Sequence, residues 1–301
     1  MINGMKKILL TLMAAALMPV LAMAQCPTPT TATATVTLKR KIPGLLDGNF
    51  TINAGGDKVN FSEGNLQYNS DEQKWQFATN QWDTIGNTTG NTNITVEGKA
   101  DDTGIADLFG WVGASSIWDT ELKKHGLTSS TATNNTNGYG NVATENLKDD
   151  WGSLMGTGWR TLTSAEWTYI INTRSGSRYA KANVHGVNGM ILLPDGWKQG
   201  TSAMSGTLSG INSTSGSFSA VSDANWTILE NEGCVFLPAA GFRSGSSVAG
   251  VGSNGYYWSS SSYASNVYFA INCYFNSSTL NHTNYIGRGI GLSVRLVRLA
   301  E

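Results

Sequence analysis

Short alternations of apolar and polar residues recur along the chain and predict a β-rich domain. Phe50-Thr51-Ile52 and Lys58-Val59-Asn60-Phe61 alternate in this way, as do Leu66-Gln67-Tyr68 and Trp75-Gln76-Phe77, which flank a polar turn. A period of two residues is typical of a strand with one buried face. We therefore expect the folded part to begin near residue 45 with a β-meander or hairpin.

One segment has the spacing of a helix instead. Trp167, Ile170 and Ile171 fall on one helical face, and Thr163 and Glu166 have the spacing of a capping box. These residues predict a helix over about 163–173.

Apolar runs and polar stretches divide the rest of the chain into strands and loops. Strands are predicted at 190–194, 234–238, 256–259, 267–275 and 291–299, and loops at 86–98, 129–140 and 200–216. Together these elements predict an α+β domain with short antiparallel strands, one clear helix and long loops. We find neither an internal repeat nor a second domain boundary after residue 45.

The composition favours an exported protein and argues against nucleic-acid binding. Hydrophobic residues make up 40% of the chain and charged residues only 14%, below the usual figure of about 25%. The formal net charge is -1, with one short basic run, Lys39-Arg40-Lys41. Binding to nucleic acid requires clustered Lys and Arg, so we expect no nucleic-acid partner.

The N-terminus has the pattern of a signal peptide. Lys6 and Lys7 precede an apolar run over residues 8–21, and Ala22-Met23-Ala24 has the small-x-small form that signal peptidase accepts. We predict a signal peptide over residues 1–24 and hence a secreted or cell-surface protein. The alternative, a membrane anchor, needs about 20 apolar residues. Residues 25–44 are rich in Thr and Pro and predict a linker.

The three cysteines leave alternatives open. Cys26 follows the cleavage site closely, so a lipoprotein is the alternative to simple secretion; Gln25 is a poor fit because a small residue normally occupies that position. The protein would meet a membrane only if it were lipidated at Cys26. Cys234 and Cys273 either form one disulfide or stay as two buried thiols.

Three motifs carry a resemblance to a known family. Gly158-Trp159-Arg160-Thr161-Leu162-Thr163-Ser164-Ala165-Glu166-Trp167 resembles the start of the first helix in the formylglycine-generating-enzyme-like branch of C-type-lectin folds. The Tyr256-Tyr257-Trp258-Ser259-Ser260 run and the 291–298 run are similar to two later strands of that group, in the expected order. Together they resemble the Fibrobacter-type major paralogous domain of exported Bacteroidetes proteins. The resemblance covers 45–301, is strongest in 151–301, and implies a C-type-lectin-like fold.

The same motif residues have a structural explanation. Trp159, Trp167 and Trp258 supply large side chains to bury in a loop-rich domain. Arg160 and Arg295 are suited to donate hydrogen bonds to loop carbonyls. We expect these residues to build the scaffold and not to contact a ligand.

The window from Tyr256 to Gly291 has the composition of a binding surface. It holds five Asn, six Tyr and seven Ser but one charged residue, Arg288. Tyr, Ser and Asn are favoured in antibody binding loops because they combine contact area with adaptable hydrogen bonds. The window also resembles the variable region of proteins diversified by retroelements, in which scattered Asn-type codons are mutated.

That resemblance implies a division of the window into contact and scaffold positions. The ligand-binding positions it implies are Tyr263, Ser265, Asn266, Tyr268, Asn272, Tyr274, His282, Asn284, Tyr285, Ile286 and Ile290. The scaffold positions are Trp258, Phe269, Phe275, Gly291, Val294 and Arg295. A β-rich exported domain with no variable face is the alternative.

Motifs for catalysis are lacking in the sequence. The formylglycine-generating enzymes bind copper through a cysteine pair, but neither Cys234 nor Cys273 lies in a matching pattern. His125, His185 and His282 lack zinc-ligand spacing. Asp101-Asp102 and Asp149-Asp150 are acidic pairs suited to calcium, but surface turns or helix termini explain them better. We expect no enzyme activity, no metal and no cofactor.

The sequence therefore predicts an exported ligand-binding protein with a Tyr/Asn/Ser-rich C-terminal face. The expected partner is a protein or glycan on another cell, a phage or a host surface. The alternatives are a structural envelope or matrix component that self-associates and, with less support, an enzyme of the formylglycine-generating type.

Overall fold

The computed structural model of the chain describes residues 42–69, 71–86, 91, 104–111, 113, 147, 149–244 and 247–301. The chain divides into two compact units, Met1–Pro43 and Gly44–Glu301, and the strands and helices of the described residues belong to the second. The predicted signal peptide, Cys26, most of the linker, Asp101-Asp102, His125 and the 129–140 loop lie outside the described residues. So does most of the 86–98 loop.

The described part of the second unit is a mixture of short strands and few helices. Its strands are β1 (Phe50–Thr51), β2 (Lys58–Phe61), β3 (Leu66–Asn69), β4 (Lys74–Phe77), β5 (Ile105–Ala106), β6 (Arg160–Thr161), β7 (Tyr179–Val184), β8 (Val187–Leu192), β9 (Ser219–Val221), β10 (Val235–Pro238), β11 (Ala240–Ser244), β12 (Ser247–Val251), β13 (Gly255–Ser262), β14 (Phe269–Phe275), β15 (Leu280–Gly287) and β16 (Leu296–Leu299). The predicted α+β class is confirmed at this level.

The strands form five small sheets. Their orders are β1-β2-β16-β6, β10-β8-β7-β9, β11-β12, β13-β14-β15 and β4-β3-β5. Pairing is antiparallel except between β7 and β9, which run parallel. The predicted hairpin of β3 and β4 forms with Leu66 opposite Phe77.

The β7–β8 hairpin has a two-residue turn. His185 and Gly186 have φ angles of 48° and 81°. Positive φ at both central residues is the geometry that matches the twist of an antiparallel pair, and Gly adopts it without a steric penalty.

The predicted helix over 163–173 is present but changes character halfway. α1 (Ser164–Thr168) begins with the predicted capping box between Thr163 and Glu166, and a π-helical segment, Tyr169–Thr173, continues it. Trp167, Ile170 and Ile171 are buried, as the spacing predicted.

The prediction of one helix is wrong because a second one forms, α2 (Asp223–Asn231). Ser222 caps it by accepting a hydrogen bond from the Asn225 N–H, and Gly233, with φ of 85°, follows its C-terminus. A 3₁₀ helix, Trp151–Met155, precedes β6.

Three clusters of buried side chains form the core. The first contains Phe61, Trp167 and Tyr257 and joins β1, β2, α1, β13 and β14. The second contains most of the buried tryptophans, including Trp111 and Trp258. The third fills the space between the β7–β10 sheet and α2. The scaffold role expected of Trp159, Trp167 and Trp258 is consistent with their burial.

Candidate functional site

The window from Tyr256 to Gly291 folds into the sheet β13-β14-β15 and the connections between its strands. Registers place Ile271 opposite Tyr285 and Asn272 opposite both Trp258 and Asn284. Because opposite residues share a face of a sheet and neighbours alternate, Ile271 and Tyr285 lie on one face, and Trp258, Asn272 and Asn284 lie on the other. We call these the Tyr285 face and the Trp258 face.

An aromatic cluster stands on the Tyr285 face. The ring of Tyr263 stacks on the ring of Tyr285 with centroids 4.1 Å apart and planes 13° apart. Phe269 contacts both rings edge-on, at 6.5 Å from Tyr263 and 5.8 Å from Tyr285. Tyr285 is 49% exposed, so a large aromatic surface faces solvent.

Polar residues follow Tyr263 in the β13–β14 connection. Ser265 is exposed and Asn266 is half-buried. The Asn266 side-chain oxygen accepts a hydrogen bond from the Tyr268 N–H at 2.9 Å, and Tyr268 is 38% exposed. The side-chain amide of Asn266 therefore stabilises the connection, and Tyr268 is a second tyrosine that is exposed to solvent.

The opposite face carries a separate aromatic pair. Tyr256 and Tyr274 stack with centroids 4.5 Å apart, and Phe242 contacts Tyr256 edge-on. The Tyr274 hydroxyl donates to the Asn254 side-chain oxygen and accepts from the Asn276 amide. Burial, with a smaller effect of Tyr274, raises the pKa of Tyr256 to about 12.

One of the predicted contact residues is buried, and two more pack against the core. Asn272 is fully buried, and its side-chain oxygen accepts from the Asn284 amide at 3.1 Å, so Asn272 does not belong to a contact surface. Ile286 and Ile290 pack against the second core cluster. They support the sheet more than they present a surface.

His282 lies near the end of α1. Its Nδ1 is 3.0 Å from the Thr168 hydroxyl, and burial lowers the pKa of the imidazole. The half-buried His282 thus connects β15 to the helix.

The eleven predicted positions therefore lie in the strands of this sheet and in the segments that follow them, and they do not share one face. Tyr263 and Tyr285 belong to the aromatic cluster, and Ser265, Asn266 and Tyr268 lie in the connection from Tyr263 to Phe269. The positions on the Trp258 face are Asn272, Tyr274, Asn284 and Ile286. Phe269, expected to be a scaffold position, is the base of the cluster. Phe269 and Ile271 are two residues apart in β14 and therefore share a face of the sheet. This spacing is the signal that could have placed Phe269 on the Tyr285 face.

Buried tryptophans and arginines support this sheet. The Trp258 indole N–H donates to the Phe109 carbonyl and the Trp111 indole N–H donates to the Ser259 carbonyl, both at 2.7 Å. The Arg288 guanidinium lies 4.5 Å from the centre of the Trp111 ring and donates to the Phe269 carbonyl. Arg288 and Trp111 thereby hold the backbone of Phe269, the residue at the base of the aromatic cluster, in place.

The two motif arginines behave differently. Arg160 donates to both carboxylate oxygens of Glu166, at 2.8 and 2.7 Å, and at 3.3 Å to a carbonyl. Arg295 is buried and donates to the Glu63 carbonyl and to the Asn65 and Gln81 side chains. Burial lowers the pKa of Arg295 to about 10.

Cys234 and Cys273 are free, buried thiols in different core clusters. Of the two alternatives, the structure therefore has the thiols and not the disulfide. Burial raises the pKa of both cysteines, that of Cys273 to about 12, so both are protonated thiols at neutral pH.

Asp150 has a helix-terminus role. Its carboxylate accepts from the Gly152 and Thr161 N–H groups at 2.8 and 2.9 Å, which caps the 3₁₀ helix. Among the residues that the structure describes, no group of three or more His, Cys, Asp or Glu side chains could hold a metal ion. Within those same ranges, no helix combines the length and the apolar character of a membrane span.

Comparison with protein-family models, with curated proteins and with solved structures gives no match.

Proposed function

We propose that the chain is an exported, surface-directed ligand-binding protein and that the aromatic cluster of Tyr263, Phe269 and Tyr285 is the centre of its binding face. The observation that carries the proposal is the stack of Tyr263 on Tyr285 at 4.1 Å, with Tyr285 49% exposed, on a sheet supported by buried tryptophans. Aromatic anchors on a rigid base supply contact area at low entropy cost. Ser265, Asn266 and Tyr268 complete the face.

The charge around the cluster points to an uncharged polar ligand surface. The only charged residue between Tyr256 and Gly291 is Arg288, which is buried. Interfaces of this composition are polar and hydrated, with modest affinity. A protein or glycan on another cell, a phage or a host surface fits this chemistry.

The proposal includes a C-type-lectin-like fold for residues 45–301. The three motifs of the resemblance meet in space, since β16 pairs with β6 and α1 packs against β13. A formylglycine-type enzyme has no comparable support because Cys234 and Cys273 are buried in different core clusters.

Binding to intact cells and phage particles tests the function. We would label the purified protein and compare it with Tyr285→Ser and Tyr263→Ser. The control is Tyr274→Ser, which removes a stacked tyrosine from the opposite face. Loss of binding in the first two variants but not in the third supports the proposal. Equal binding by all four proteins would overturn it.

Retroelement diversification is a separate part of the proposal. It is tested by deep sequencing of the gene across cells of one strain. Substitutions concentrated at Ser265, Asn266, Tyr268 and Tyr285, with Trp258 and Arg295 unchanged, are the expected result. A uniform low rate would leave a fixed binding face.

A further inference from the structure

β15 forms one edge of its sheet. It pairs with β14, and among the described residues no strand pairs with its other side. The opposite edge of the sheet, at β13, makes hydrogen bonds to other segments of the chain. There the Trp258 N–H donates to the Ser293 carbonyl and the Ser260 N–H donates to the Leu162 carbonyl. The β13 edge thus has backbone hydrogen-bond partners outside the sheet, whereas no strand among the described residues supplies such partners to β15.

The phase of the β14–β15 ladder shows which groups point outward. The Arg288 N–H donates to the Tyr268 carbonyl at 2.9 Å, one position beyond the pair of Phe269 with Gly287. Hydrogen-bonded pairs alternate in an antiparallel ladder. Ile286 therefore bonds to Ala270 and Asn284 to Asn272, and the N–H and C=O of Tyr285 point away from β14.

The sequence of this edge lacks the usual protection. Leu280–Gly287 contains neither a charged residue nor a proline, which are the common means of blocking an edge against another strand. The one such feature is the bulge where the register shifts between Asn272 and Tyr274. The extra residue of this bulge is on β15, next to Thr283. The rest of β15, from Asn284 to Gly287, pairs regularly with β14 and includes Tyr285.

We propose that a second copy of this chain pairs antiparallel with β15 around a two-fold axis at Tyr285. In this arrangement the Tyr285 N–H of each copy donates to the Tyr285 carbonyl of the other, and the two sheets join into one of six strands. Opposite residues share a face, so the two Tyr285 side chains lie side by side and the two aromatic clusters become continuous. Leu280–Gly287 contains no charged residue. Two copies of this strand can therefore pair without charge repulsion, which is why a second copy fits this edge.

This inference goes beyond ligand binding by one subunit. A two-fold dimer presents two copies of the Tyr263–Tyr285 surface on one side, which raises apparent affinity for a repetitive ligand surface. Pairing of copies is also what a self-associating envelope or matrix component would require.

The experiment is sedimentation equilibrium on the purified protein and two lysine variants. Thr283→Lys places a charge on an exposed residue of the edge, and Ser278→Lys places the same charge on an exposed residue of the β14–β15 turn. We expect the wild type and Ser278→Lys to dimerise, and Thr283→Lys to raise the dissociation constant by at least about tenfold.

Amide hydrogen exchange keeps the test independent of that variant's folding. The Tyr285 amide should exchange more slowly as wild-type concentration rises, whereas the amides of β14 should not change. A wild-type protein that stays monomeric at about 100 μM, where weak specific dimers are populated, overturns the proposal. So does a dimer whose Tyr285 amide exchanges at a rate independent of concentration.

Discussion

The carboxylate of Glu166 accepts two hydrogen bonds from Arg160 and, at the same time, one from the Thr163 N–H at 2.8 Å. One side chain therefore closes the capping box of α1 and fixes the strand that precedes the helix. The motif that carries the resemblance in this part of the chain is thus a local structural unit.

Replacing Glu166 separates these two contributions. Glu166→Gln keeps a side chain that can accept from the Thr163 N–H but loses the charge-assisted pair with Arg160, whereas Glu166→Ala loses both. We expect Ala to cost about 2 kcal/mol of unfolding free energy and Gln about half of that. Urea denaturation of both variants measures the difference. Equal losses would show that the capping box adds nothing to the ion pair.

Two glycines with the same backbone angle make a matched pair. Gly233 and Gly56 have φ angles of 85° and 88°. A Cβ on Gly233 would lie 2.5 Å from the Gly48 Cα, whereas nothing lies within 4 Å of a Cβ on Gly56. Alanine at Gly56 should cost about 1 kcal/mol for the left-handed conformation alone.

Alanine at Gly233 should cost at least about 2 kcal/mol more, because the backbone at Gly48 must move. Thermal or urea denaturation of the two single variants gives the comparison. Similar losses of unfolding free energy at both positions would mean that the backbone at Gly48 can move away from the new Cβ without destabilising the protein.

Asp107 should make stability fall as the pH rises from about 4 to about 7. Burial raises the pKa of this carboxyl from 3.8 to about 7, against hydrogen bonds from Asn91, Gly86 and Gln67 that lower it. Between those values the folded protein holds a proton that the unfolded chain has released, so raising the pH favours unfolding. The melting temperature of Asp107→Asn should therefore depend less on pH than that of the wild type. Parallel pH profiles for the two proteins would contradict this.

Lys181 holds the β14–β15 turn to the 200–216 loop. The residue is 4% exposed, and its ammonium donates to the Thr214 carbonyl at 2.7 Å and the Ser277 carbonyl at 3.3 Å. Lys181→Met keeps the apolar stem but removes both bonds, so we expect a loss of about 1–3 kcal/mol and faster amide exchange at 276–279. Lys198→Met, at an exposed lysine, is the control and should change neither quantity.

The elements that the sequence predicted correctly are those with strong burial. The strand at Val235–Pro238 is buried along its whole length, and α1 with its π-helical continuation carries the capping box and three buried apolar residues. α2 was missed because only Trp226 and Leu229 are buried on it, which leaves little periodicity to detect. β15 was missed because its half-buried positions include His282 and Asn284, which are as polar as the exposed Asn281 and Thr283, so no apolar–polar alternation appears in the sequence.

The composition of the window identified the tyrosines but not their arrangement. β13 pairs irregularly between Trp258 and Ser262, and the β14–β15 register shifts beside Tyr274. A shift of one residue moves a side chain to the other face. Spacing alone therefore could not separate Tyr285 from Tyr274 or predict that Asn272 is buried.

The position of β16 has a consequence for how the chain reaches its native state. Leu296–Leu299 lies between β2, at Lys58–Phe61, and β6, at Arg160–Thr161. During synthesis β2 has only β1 as a partner, and β6 has no partner in this sheet, until β16 has left the ribosome more than a hundred residues after β6. Such distant pairing slows folding, so this sheet is expected to be the last of the five to be completed.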